Sequence, residues 1–128
     1  MYEISDEDFT RIVVRKIEEL KLNVLLDNPD IAAEYPCVVC NNTYSNILLC
    51  ENNVPVQTRF QINLEAWATS KYETMNLMNK IIIKLRELNI APVGNPTEMH
   101  DEITNKHRRM RSFEVFFNGL TNSFDRTK

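Results

Sequence analysis

Between Val54 and Ile90 the hydrophobic pattern changes period once, with almost no linker between the two regimes. Phe60, Ile62, Leu64 and Ala66 alternate with Gln61, Asn63, Glu65 and Trp67. Alternation of that kind places the first set on one face of a strand and the second set on the other. The pattern predicts a strand from about Val56 to Ala68. Ser70 and Glu73 then form an S-x-x-E capping box, which satisfies orphan backbone donors and starts a helix. That helix is expected over about Lys71 to Leu88, with Met75, Met78, Ile81, Ile82, Leu85 and Leu88 as its buried stripe. Met75 and Met78 read as core filling. Asn89 is its stop, because Asn tolerates the left-handed conformation.

Ahead of this unit, Phe9, Ile12, Val13, Ile17, Leu20 and Val24 recur at helical spacing and predict a helix from about Asp6 to Leu26. Ser5 and an acidic first turn suit its N-terminus. Asn28-Pro29 ends it, since proline disfavours helical geometry in the residue before it. Residues 30–35 read as a connector with a short helical turn, and residues 36–51 as a hairpin: a strand Cys37 to Cys40, a turn at Asn41, Asn42 and Thr43, and a second strand Tyr44 to Glu51. Asn52-Asn53 is another turn. After the second helix, Pro92 and Pro96 confine residues 90–99 to a sheet edge or a bulge. A turn at Asp101 to Asn105 leads to a last strand, Lys106 to Asn118, in which Phe113, Val115 and Phe117 alternate with Ser112, Glu114 and Phe116. The order α-β-β-β-α-β-β predicts an α+β domain over residues 1–118, a largely antiparallel sheet with both helices on one face. Residues 119–128 read as a polar tail, disordered in isolation.

Composition narrows the classes. At 128 residues, 43% hydrophobic and 26% charged, the chain has the make-up of one ordinary folded domain. A net charge of -3 argues against a general nucleic-acid binder. The local basic run Lys106, His107, Arg108, Arg109 and Arg111 is more simply a solvated strand face than a nucleic-acid site. No apolar run approaches the roughly 20 residues of a membrane span, and the acidic start is the reverse of a signal peptide. Three cysteines without an export signal are expected as free thiols in a reducing compartment. Two glycines are too few for a phosphate-binding loop.

Candidate chemistry is sparse. Cys37 and Cys40 have C-x-x-C spacing, but residues three apart on a strand face opposite ways, so the sulfurs would not converge on one ion. His100 and His107 flank a turn and could meet across it, with Glu98 or Asp101 as a metal or acid–base partner; exposed hairpin polarity is the simpler account. Trp67, on the polar face of its strand, could pack at the sheet edge or anchor an interface. No catalytic, cofactor-binding or metal-binding set is therefore expected, and the protein reads as a non-enzymatic interaction protein.

Several stretches together resemble a known family. They are the N-terminal helix, the Tyr35-Pro36-led hairpin, the strand R-F-Q-I-x-L-x-A-W-A at Arg59 to Ala68, the Ser-initiated helix ending L-R-E-L-N-I, and the aromatic-rich last strand. The chain is similar in these to the tail terminator and tail-completion proteins of long-tailed bacteriophages and phage-like particles. The likeness covers most of residues 5–118 and is strongest at Arg59 to Leu88 and Arg109 to Phe117. Asn89-Ile90 stands where the family usually has a Leu-x-x-Gly-Phe turn, and Pro92 and Pro96 interrupt a hairpin usually free of proline.

The resemblance implies a homo-hexameric ring on the head-proximal end of the tail tube, assembled in the host cytoplasm and carried in the virion. The ring would end tube polymerisation and present a surface for head attachment. Its partners would be further copies of itself, the tail tube protein, head–tail connector or neck proteins and a sheath protein, with DNA only passing through and no membrane. Arg59, Trp67, Lys106 and Arg108 are the expected contact residues. The alternatives are a neck or head–tail connector subunit and, in another class, a small metal-dependent enzyme using His100, Asp101 and His107.

Overall fold

The computed structural model describes residues 3–27, 29 and 34–125. The element order is α1 (Asp6–Glu18), β1 (Asn23–Leu25), β2 (Cys37–Glu51), β3 (Val54–Ala68), α2 (Lys71–Arg86), β4 (Ala91–Asp101), β5 (Lys106–Asn118) and β6 (Ser123–Asp125). The fold is α+β: a six-stranded sheet of order β1-β2-β3-β5-β4, with β6 also on β5, and only the β1–β2 pair parallel. Both helices lie on one face. Phe9, Val13 and Ile17 of α1 and Leu77, Met78, Ile81 and Leu85 of α2 share one core with Phe60, Ile62, Leu64, Ala66, Phe113, Val115 and Phe117. No helix among the described residues is long and apolar enough to cross a membrane.

Local chemistry explains most of the elements. Ser5 and Asp8 make the full reciprocal capping box at the start of α1. At α2 only half of the expected box forms. Ser70 accepts from the Glu73 amide, while the Glu73 carboxylate takes the Thr69 hydroxyl at 2.6 Å. The buried stripe of α2 is Thr74, Leu77, Met78, Ile81 and Leu85; Met75 is exposed, contrary to the sequence pattern. With only two glycines in the chain, asparagine supplies the left-handed backbone. Six of the seven described non-glycine residues with positive φ are Asn42, Asn52, Asn53, Asn89, Asn105 and Asn122. Asparagine enters that region most readily because its side chain can bond to the nearby backbone.

Four further expectations are corrected. α1 ends at Glu18, not Leu26: Lys21 turns left-handed at φ 59, and residues 23–25 pair with Cys37–Val39 as β1. Residues 36–51 are not a hairpin. Asn41 pairs with Asn63 and Tyr44 with Gln61, so three steps on β2 match two on β3. That is a bulge, with Asn42 at φ 45. The C-terminal segment includes β6, whose Phe124 packs edge-on to Phe9 and Phe117. Finally, Trp67 is 1% exposed, not a surface residue. Of the connector 30–35, in which a helical turn is expected, residues 30–33 lie outside the described residues. β4 does occupy a sheet edge and carries a bulge between Val93 and Thr97, where Gly94 at φ 69 and Pro96 interrupt the ladder.

Candidate assembly surface

The face of the sheet away from the helices is built from paired polar side chains. Residues directly opposite in an antiparallel ladder point the same way. Gln61 therefore meets Glu114 across β3–β5 at 2.9 Å, and Asn63 accepts from Ser112 at 2.6 Å. At the Cys37 end this face closes over a small second core of Cys37, Val39 and Trp67, with Leu25 and Tyr35 packed on it. Glu65 is only 2% exposed there. Its carboxylate accepts from Trp67 Nε1 at 3.0 Å, from Asn41 Nδ2, and from Arg108 Nη1 at 3.4 Å. Arg108 also lies over the Trp67 ring, 5.5 Å from its centroid, and Lys106 lies over Tyr35 at 5.2 Å.

Three of the four expected contact residues, Trp67, Lys106 and Arg108, thus gather in one corner. Arg59 does not join them. It lies eight positions back along β3, opposite Asn46 and Phe116. With the Asn46 amide oxygen turned toward it, Arg59 Nη2 donates to that oxygen at 2.9 Å. Cys37 and Cys40 separate as the spacing predicts, one into the second core and one into the main core. Burial pushes their thiols up to about 11 and about 12, so neither is a thiolate nucleophile near neutral pH.

His100 and His107 are opposite each other, while Asp101 pairs with Lys106 on the other face of the hairpin. The Asp101 carboxylate accepts from the Thr104 hydroxyl at 2.7 Å and the Thr104 amide at 2.8 Å, which lowers its pKa. The triad required by the metal-dependent-enzyme alternative is therefore split. Among the described residues no group of three or more His, Cys, Asp or Glu could hold a metal ion.

Sequence reasoning missed a group of exposed apolar side chains along one strand. Beyond Val39 no described strand pairs with the outer edge of β2. The β2–β3 arm carries Tyr44, Ile47, Leu48 and Leu49 at 46%, 57%, 47% and 56% exposure. Ile47 pairs with Thr58 and Leu49 with Gln57, so Leu48 is the extra residue of a second bulge. The arm is apolar on both faces, because Ile47 follows the helix side and Tyr44 the opposite side. From Asn41 to Thr58 the only charged residue is Glu51. A cleft of about 410 Å³, lined by Ile4, Ser45, Ile47, Pro55, Thr58 and Phe117, separates the arm from the start of α1. The charge-free run at residues 47–50 is the only signal in the sequence, and it fits a buried strand centre equally well. No protein-family model matches the chain, and no curated protein matches it.

Proposed function

We propose that this protein is a non-enzymatic assembly subunit of the tail-terminator type, forming a ring on the head-proximal end of a phage tail tube and providing the surface to which the head attaches. The observation that carries the reading is the β2–β3 arm. Four large apolar side chains lie on a strand edge that pairs with nothing described. Natural sheets usually protect such an edge with charge or proline, as β4 does here with Pro92 and Pro96. An edge this apolar, with Glu51 as its one charge, fits a surface that is covered in the assembled state. The family resemblance of the long strand and second helix supplies the tail-terminator part of the reading.

A closed ring uses heterologous contacts, so the surface that receives the arm must differ from the arm. The outer face of α2 fits that role. Tyr72, Met75 and Ile83 are exposed along it, and α2 packs over β3, β5 and β4, away from the free edge of β2.

Light scattering over a range of concentrations tests the proposal. A discrete species of about six subunits is expected, as closed rings have a fixed copy number. Leu48→Glu on the arm and Ile83→Glu on α2 should each give folded monomers. Mixing the two variants should give dimers and nothing larger, because only one intact contact can form between them. Hexamers that survive both substitutions, or a wild-type monomer that does not assemble on tube ends, would sink the reading.

A further inference from the structure

We infer that His100 and His107 form a two-imidazole site for a borderline divalent first-row ion of the Ni2+, Cu2+ or Zn2+ type. The residues are directly opposite on β4 and β5, so their side chains leave the sheet on the same side. Their ring centroids are 5.1 Å apart, with the planes inclined at 63°. An imidazole nitrogen lies about 1.1 Å from its ring centre and binds such an ion at about 2.0–2.1 Å, which puts the ion about 3.2 Å from each centroid. Two rings that meet an ion at a tetrahedral angle then have centroids about 5.2 Å apart, against about 6.4 Å for rings on opposite sides of it. The observed 5.1 Å spacing allows the two rings to take adjacent positions on a tetrahedral ion.

The turn also prepares the ligand state of one ring. Asn105, held at φ 55, places its Oδ1 2.9 Å from His100 Nε2. An amide oxygen only accepts, so in the neutral ring Nε2 carries the proton and Nδ1 keeps the lone pair. That is the outer-shell arrangement that fixes tautomer and orientation in metal-binding histidines. Asp101 is bonded to Thr104 and paired on the other face. The remaining coordination positions fall to water, which suits binding without hydrolytic machinery. This site is independent of the proposed ring.

The test is calorimetric titration of the full chain with Ni2+ alone, in a Cys50→Ser background that removes the exposed thiol. One ion per chain is expected. His100→Ala and His107→Ala should each weaken binding by about tenfold or more, with an unchanged circular-dichroism spectrum, and Asn105→Ala should weaken it less. With Cu2+ in place of Ni2+, electron paramagnetic resonance should report two nitrogen ligands in the parent and one in either histidine variant. A parent that binds no ion, or a loss below tenfold in either histidine variant, overturns the inference.

Discussion

At the Cys37–Trp67 end of the β2–β3 pair the side chains of both faces are covered: Val38 and Ala66 by the main core, Cys37, Val39 and Trp67 by Leu25 and Tyr35. At the Asn52-Asn53 end, residues 46–51 of the outer strand are all exposed. Both ends are rich in β-branched, aliphatic and aromatic residues. Coverage by other elements separates them, and coverage decides whether an apolar side chain contributes to folding or remains available to a partner.

Substitution should divide the two ends cleanly. Trp67→Ala removes a buried aromatic from the second core, takes away the ring beneath Arg108 and leaves Glu65 short of a donor. Such truncations cost about 3–5 kcal/mol, and chemical denaturation should read a loss of that size. A surface interface anchor would weaken assembly more than folding, and the burial of Trp67 reverses that order. On the arm, Leu48→Glu added to the monomeric Ile83→Glu variant should shift stability by no more than about 0.5 kcal/mol, as surface substitutions do. A large loss of stability at Leu48 would mean that the arm folds against its own chain, and the comparison would fail.

Glu65 sharpens the contrast because it is polar and still belongs to the covered end. Glu65→Gln keeps the shape and removes the charge that Arg108, Trp67 and Asn41 address. Weakening a charge-assisted set of this kind costs about 1–3 kcal/mol. The same change at Glu51, alone on the arm, should be silent in the folded monomer. Equal effects at the two glutamates in a denaturation titration would show that the Glu65 network adds nothing beyond surface polarity.

The sequence reveals faces better than it reveals what covers them. Alternation through Phe60 to Trp67 assigned every side chain to its correct face, because strand geometry is local. It could not show that Glu65 and Trp67 are buried, since Arg108 closes over them from 43 and 41 positions away in the chain. The Asn41–Thr43 bulge looks like a turn in the sequence because both use asparagine at positive φ. Only the pairing with Asn63 and Gln61 distinguishes the two. β1 left no local mark: Val24 fits a helical stripe and a strand equally, and the parallel partner Cys37–Val39 decides between them. His100 and His107 were legible as a facing pair because a short turn leaves two flanking residues few other places to go.

The smallest effect is expected where charges pair in water. Lys16 and Lys84 bridge Glu87 and Glu19 at 3.1 and 3.0 Å, joining the ends of α1 and α2, and both glutamates are half exposed. Lys84 holds the Glu19 pKa, and Lys16 that of Glu87, below the ordinary 4.5. A lowered carboxylate contributes stability above its unfolded pKa and loses it as pH falls through the folded value, so this contribution disappears in acid below about 4.5. The Lys84 pKa is raised by Glu19, so its share is present at neutral pH and is lost only as alkaline pH passes the folded lysine value. Lys84→Met should therefore lower Tm slightly at neutral pH and low salt, and the difference from wild type should shrink in high salt and again in acid. Glu65, out of solvent, should keep its effect at high salt. If the salt sensitivities of Lys84→Met and Glu65→Gln proved equal, Glu65 would be as well solvated as the helix ends, and the covered corner would not be covered.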